Sequence, residues 1–252
     1  MRTFVFCSFK GGTAKTSTAL HIGACLAQYH AKRVLLIDFD SQANLSTGIG
    51  IGPDNLDTMV PVLRGEKKAI EVIQPTCIRG LDIIPANTYL DGIESSAPLV
   101  SDLYAHERLR KAIIGLPYDI CLIDTPPSLG WLTQAAFYAA HSSVICALPE
   151  PYSILAMNRL KEYHAAIQEH HPLSCSGVVI SFWDERGATN VAFLEAIHAA
   201  FPELLFCSKI RRDIAVNRAI LQGKPVIVTE EKSRASTDYR ELAKEFIKRV
   251  DA

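Results

Sequence analysis

The segment Lys10-Gly11-Gly12-Thr13-Ala14-Lys15-Thr16-Ser17 carries the densest chemistry in the chain. Paired glycines let backbone N–H groups turn inward toward a polyphosphate, and a helix opening at the end of the loop adds partial positive charge. Lys15 has the reach for the β- and γ-phosphates of a nucleotide, and the Thr16 hydroxyl is of a type that ligates Mg²⁺. The segment follows an apolar strand pattern and opens a helical one, which is the context a phosphate loop needs. The common pattern G-x-x-x-x-G-K-[ST] is not met, because its first glycine is missing and Ala14 stands where the second falls. A methyl group favours negative φ, so the backbone at Ala14 is expected to take it, as a tolerated variation.

Carboxylates gather in two other places. In Leu35-Leu-Ile-Asp38-Phe-Asp40-Ser-Gln42-Ala-Asn44 an apolar strand ends in two acids two residues apart. Beside a phosphate site they would repel the nucleotide unless Mg²⁺ or ordered water lay between. Asp40 and Ser41 are also good helix caps, and both roles are compatible. In Tyr118-Asp-Ile-Cys-Leu-Ile-Asp124-Thr125-Pro126-Pro127 four apolar residues run into Asp124. Such a strand end can hold Mg²⁺, through water.

These groups need a scaffold. Runs at Thr3–Cys7, Arg33–Ile37, Leu81–Ile84, Ile120–Ile123, Ser143–Ala147 and Gly177–Ser181 are apolar on both faces, as in a parallel sheet covered on both sides. Between them, helical periodicity occupies Thr16–Tyr29, His106–Ile114, Leu129–Ala140, Ser153–Glu169 and Asn190–Ala200. The alternation predicts a doubly wound α/β fold with a mostly parallel sheet, and residues 1–252 are read as one domain. Short strands are expected near Leu204–Phe206 and Pro225–Val228. A last amphipathic helix, Ser236–Val250, gathers Tyr239, Leu242, Ala243, Phe246, Ile247 and Val250 on one face. Residues 48–80 show the least regular pattern.

Composition narrows the function. With 26 Lys and Arg against 27 Asp and Glu, the chain is neither a basic nucleic-acid coat nor an acidic disordered tail. The charge is uneven: residues 208–252 hold 11 basic and 7 acidic side chains. Seven cysteines form no C-x-x-C pair, which excludes a zinc ribbon or a thioredoxin motif, and the eight histidines form no ligand pattern. No apolar run reaches the ~18 residues of a membrane span, so a cytoplasmic protein is expected.

The pair of lysines in K-G-G-x-x-K-[ST] resembles the deviant phosphate loop of the ParA/MinD class of ATPases. The resemblance continues in D-x-D-x-Q-x-N, in D-T-P-P, and in Gly223-Lys-Pro-Val. It closes with Lys232-Ser-Arg234-Ala…Tyr239-Arg-Glu-Leu-Ala-Lys-Glu, close to the ParA branch. It implies an ATPase using ATP and Mg²⁺, with Lys10, Lys15 and Asp40 as catalytic residues. Lys10 would reach the nucleotide of a partner subunit, and Asp40 would position the attacking water. The loop from Gly11 to Ser17 would cradle the phosphates, with Glu150 near the nucleotide and dimer interface. Arg211 stands where the family has a proline beside the adenine. Thr16, Asp38 and Asp124 would serve the metal. A homodimer formed on ATP binding, non-specific double-stranded DNA and a ParB-type centromere-binding protein are the implied partners, with a nucleoid-associated location. Lys209, Arg211, Arg212, Arg218, Lys224 and Arg234 would contact DNA phosphates. The alternative is a MinD-like membrane-surface ATPase. The mixed charges of Glu241–Ala252 look like a packed helix rather than a detachable anchor, and no membrane partner is expected.

Overall fold

Apolar residues at nearly every position make the central strands buried on both faces. In the computed structural model, which describes residues 1–8, 10–186 and 190–251 apart from the side chains at 94, 97–98 and 151–156, these strands form one eight-stranded sheet. They are β1 (Arg2–Cys7), β2 (Val34–Asp38), β3 (Gln74–Pro75), β4 (Leu81–Ile84), β5 (Ile120–Asp124), β6 (Ser142–Ala147), β7 (Ser174–Trp183) and β8 (Ile210–Arg211). Their spatial order is β3-β4-β2-β5-β1-β6-β7-β8. All pairings are parallel except that of the edge pair β3 and β4. The chain leaves β1 for strands on one side of it and later fills the other side. The crevice at the carboxyl end of β1 is therefore a topological switch point, where open α/β sheets bind ligands.

Register fixes the site. Asp124 of β5 is level with Asp38 of β2 on one side and with Phe6 of β1 on the other. Both acidic strand ends thus emerge on the same edge as the glycine-rich loop that follows β1.

The helices are α1 (Lys15–His30), α2 (Asn44–Gly48), α3 (Met59–Arg64), α4 (Ala97–Val100), α5 (Arg108–Ile113) and α6 (Trp131–Ala139) in the first part of the chain. After them come α7 (Pro151–Gln168), α8 (Asn190–Ala200), α9 (Ile214–Leu221), α10 (Val226–Thr229) and α11 (Arg234–Asp251). Side-chain alternation along the strands divides the core in two. Val5, Ile37, Ile123 and Ile145 face one layer, with Phe137, Leu160 and Ile197 from the helices. Phe4, Phe6, Leu36 and Leu122 face the other, with Leu20, Leu26, Tyr239 and Phe246.

The apolar stripe expected on the last helix is buried along its whole length. Phe246 meets Phe4 edge-to-face at 4.9 Å. Arg249 lies 4.1 Å over the Phe206 ring and donates to the carbonyls of Ser176, Leu204 and Leu205. The helix is thereby built into the domain instead of standing free. Among the described residues, no helix is long and apolar enough to cross a membrane.

Two local expectations differ from the structure, and one helix was not expected. Leu204–Phe206 is not a strand; Leu205 makes a single bridge to Val178, and the edge strand is β8. Pro225–Val228 is not a strand either: Pro225 caps the one-turn helix α10, closed by the Glu230 N–H on the Val226 carbonyl at 2.8 Å. A run of three apolar residues is too short for periodicity to distinguish the two. The helix α9 goes unread in the sequence, although Asp213 marks its start by accepting from the Ala215 N–H at 3.0 Å.

Candidate active site and basic face

The loop after β1 turns on positive φ at Gly12 (75°) and again at Ala14 (58°), immediately before α1. The expectation of negative φ at Ala14 is therefore overturned. The Ala14 carbonyl must point into the first turn of α1, where it accepts from the Thr18 N–H at 2.8 Å and the Thr18 hydroxyl at 2.7 Å. The left-handed conformation that glycine adopts freely is here imposed on a residue with a Cβ.

Lys15 is buried at the start of α1. Its ammonium pairs with Asp124 Oδ1 at 2.9 Å and donates to the Thr125 carbonyl. Burial disfavours the charged amine, but Asp124, with Asp40 beyond it, outweighs burial and holds the pKa above the ordinary lysine value. Burial raises the Asp124 pKa, with the Lys15 charge pulling the other way. Thr125 is anchored in turn by its hydroxyl, which donates to the Phe6 carbonyl at 2.9 Å.

Asp38 is buried with both oxygens engaged. Oδ2 accepts from the Ser46 N–H at 2.8 Å and the Ser46 hydroxyl at 2.7 Å, and Oδ1 accepts from the Asp40 N–H at 3.2 Å. Burial and the neighbouring Asp124 push its pKa up to about 7, against the Ser46 hydrogen bonds. Ser46 belongs to no motif legible in the sequence, yet it ties α2 to the strand end. Asp40 instead lines the cavity in front of the loop, with Lys15, Thr16, Gln42, Asn44 and Thr47. It is not the cap of α2, a position held by Ala43; its Oδ1 accepts the Gln42 N–H at 3.0 Å in a local turn.

Among the described residues, two buried oxygens at this site, Asp124 Oδ2 and Thr13 Oγ1, have no hydrogen-bond partner, and the Thr16 hydroxyl bears on the same Asp124 carboxylate. An unsatisfied buried carboxylate oxygen beside Thr16 and Asp40 fits a hard cation. Among the described residues no cluster of three or more His, Cys, Asp or Glu side chains gathers to hold a metal. Mg²⁺ at a nucleotide needs no such cluster, since water and phosphate oxygens fill most of its shell.

Lys10 pairs with Glu150, the residue that caps α7 ahead of Pro151. Both side chains are half-exposed, beside a cavity of about 910 Å³ that also meets Gly11, Gly12, Arg211, Arg212 and Arg234. The loop and the basic segment therefore share one wall.

The six basic candidates divide by their partners. Arg211 is held by Asp238 of α11 through Nε at 3.0 Å and Nη2 at 2.6 Å, and Arg218 by Glu230 at 2.6 Å from each of two nitrogens. Both charges are matched within the chain. Lys209 lies 5.1 Å over the Trp183 ring and Arg212 5.6 Å over Phe182. Arg234 makes one long contact to the Arg212 carbonyl at 3.5 Å. Lys224 is exposed and follows Gly223, whose backbone abuts Gly50: a Cβ there would lie 2.7 Å from the Gly50 Cα.

A glycine-rich loop entering a helix at the switch point of a parallel sheet, with a buried lysine on a strand-end aspartate, defines a P-loop nucleoside triphosphatase fold. A family model described as an AAA domain matches residues 1–174. A ParA family protein of Chlamydia pneumoniae is 52% identical over 249 residues, 98% of either chain. The sporulation initiation inhibitor protein Soj of Bacillus subtilis is 35% identical over 94% of each. Among solved structures, cobyrinic acid a,c-diamide synthase of Mycobacterium smegmatis with bound ATP analogue and magnesium superposes with a TM-score of 0.85 at 27% identity. The match covers 100% of this chain and 96% of that one. The chain belongs to the ParA family.

Proposed function

We propose that the protein is a Mg²⁺- and ATP-dependent ATPase that dimerises on ATP, binds DNA without reading sequence, and drives partition of a chromosome or plasmid. A ParB-type partner would stimulate hydrolysis to ADP and phosphate. The observation that carries the reading is the meeting of Lys15, Asp40, Thr16 and the unsatisfied Asp124 Oδ2 at the phosphate loop. Family membership supports it, together with the second lysine at the loop's mouth.

Magnesium, when bound, would neutralise charge on the phosphate oxygens during in-line transfer to water. Thr16 and Asp124 would hold it, and Asp38 would support them by fixing α2 through Ser46. Lys15 would exchange Asp124 for the phosphates. Gly11–Ser17 would supply N–H and hydroxyl donors. Asp40 would orient the attacking water. Lys10 would leave Glu150 for the partner subunit's nucleotide, so turnover would be slow until two subunits meet. DNA phosphates would be met by Lys209, Arg212, Lys224 and Arg234. No membrane enters this reading, because the apolar stripe of α11 is already packed in the domain.

The test is solution mass together with binding to random-sequence DNA, measured with no nucleotide, ADP or ATP across a salt series. ATP alone should yield a dimer and salt-sensitive DNA binding. An ATP-dependent dimer that ignores DNA would remove the DNA role. No response to ATP would remove the ATPase role.

A further inference from the structure

Ser46, the third residue of α2, is buried with every polar atom engaged. Its N–H and its hydroxyl both donate to Asp38 Oδ2, at 2.8 and 2.7 Å. The hydroxyl oxygen accepts the Ala86 N–H at 3.0 Å, just beyond the end of β4. The Ser46 carbonyl accepts from the N–H groups of Ile49 at 3.2 Å and Ile51 at 2.9 Å. Thr47, its neighbour, lines the cavity in front of the loop; Ser46 lies 1% exposed behind that wall.

α2 has five residues, too few to stand alone, and its cap residue Ala43 has no side-chain acceptor for the first turn. The Asp38 carboxylate supplies one from the end of β2. Its other oxygen, Oδ1, accepts the Asp40 N–H at 3.2 Å. Hydrogen bonds therefore run unbroken from Ala86 through the Ser46 hydroxyl and the Asp38 carboxylate to the backbone of Asp40. That last bond, with the Phe39 N–H on the Asp124 carbonyl at 2.9 Å, aims the Asp40 turn at the cavity. A buried polar network with its members satisfied specifies one geometry. In-line attack on phosphorus is sensitive to that geometry, since a misplacement of about 1 Å can cost about a hundredfold in rate.

We propose that Ser46 is a positioning residue for hydrolysis. It holds Asp38, and through Asp38 the Asp40 turn, where the attacking water is oriented, and it takes no part in nucleotide affinity. The inference rests on the role given to Asp40 above.

The experiment uses the full chain as wild type, Ser46→Ala, Ser46→Thr and Leu45→Val, the last a packing control in the same buried helix. Amide exchange without nucleotide tests the linkage. Ser46→Ala should speed exchange of the Asp40 N–H about tenfold, and Leu45→Val should leave it at the wild-type rate. Mg-ATP tests the function. With protein in excess, Ser46→Ala should hydrolyse ATP about tenfold more slowly, while its calorimetric Kd for Mg-ATP stays within about twofold of the wild type. Ser46→Thr keeps the hydroxyl and should restore the rate; Leu45→Val should never lose it. An equal loss of rate and affinity in Ser46→Ala would make Ser46 a support of the whole site and overturn the proposal. So would a wild-type rate in Ser46→Ala, or a Ser46→Thr chain as slow as Ser46→Ala. Should Ser46→Ala fail to fold, Ser46→Cys keeps the size with a weaker donor, and the same split between rate and Kd is required of it. A wild-type chain that does not bind Mg-ATP would sink the nucleotide reading and this proposal with it. Unchanged Asp40 exchange in Ser46→Ala, with ATP still bound and hydrolysed by the wild type, would sink the proposal alone.

Discussion

At the scale of single residues, the two lysines of the loop differ sharply in what they do for the fold. Lys15 and Asp124 are buried together, so Lys15→Ala leaves a buried carboxylate next to Asp38 without its cation. Breaking such a pair costs about 3 kcal/mol, read as a lower urea midpoint. Lys10 and Glu150 are half-exposed, so Lys10→Ala should stay within about 0.5 kcal/mol of the wild type while abolishing ATP-dependent dimerisation in the same preparation. A loss of stability for Lys10→Ala comparable to that of Lys15→Ala would mean that the Glu150 pair is structural. Ala14 tests the loop from the other direction. Ala14→Gly relieves the left-handed strain but adds unfolded-state entropy, leaving a net gain of roughly 0.5 kcal/mol, visible as a raised melting temperature without nucleotide. No residue in K-G-G-T-A-K announces that positive φ, since the motif reads as well with either sign, and the Thr18 bonds to the Ala14 carbonyl are those any helix N-cap makes.

Among the elements, α1 and α11 form the joint between the loop and the basic face. His21, one turn beyond Ser17, meets the Ser17 carbonyl through Nδ1 at 2.6 Å and stacks on Tyr239 at 4.5 Å between ring centroids. A carbonyl can only accept, so Nδ1 carries the proton. Burial lowers the His21 pKa to about 4, against the help of the Ser17 carbonyl. The folded value lies below the unfolded one of about 6.5. Between the two, the unfolded chain binds the extra proton, so this histidine's share of stability is complete above pH ~6.5 and is lost as pH falls toward ~4. His21→Phe keeps a ring against Tyr239 and should flatten the pH dependence of the urea midpoint between about 4.5 and 6.5. An unchanged slope would assign that dependence elsewhere, His141 first. How much was legible follows the same elements. The long periodic helices and the apolar strands stand within about one to three residues of their sequence readings. Asp38, Asp40 and Asp124 fall on one edge because parallel register carries them there. The chain between β2 and β5, with its short helices, has no period long enough to read. Ser46 escaped because its role arises from its contacts with Asp38, which no local motif encodes.

For the whole molecule, the question is how a chain of net charge −1 holds a polyanion. The excess of basic residues after Cys207 overstates the available charge, because Arg211 and Arg218 are neutralised by Asp238 and Glu230. Of the six candidates on the basic face, Lys209, Arg212, Lys224 and Arg234 are left for phosphate contact. Removing any one of these cations should reduce the slope of log affinity against log salt by about 1, and weaken all sequences alike. Arg212→Ala and Lys224→Ala should therefore flatten the salt dependence of ATP-dependent DNA binding. Arg218→Ala should leave it where it was, since its charge is already matched. The converse variant is the sharper one. Glu230→Gln removes the carboxylate from Arg218, whose side chain is 54% exposed, and should both tighten DNA binding and steepen its slope by about 1 per subunit. If Arg218→Ala flattened the slope as much as Arg212→Ala, the ion pair would have to open on DNA. The basic face would then be assembled by the polyanion rather than presented to it.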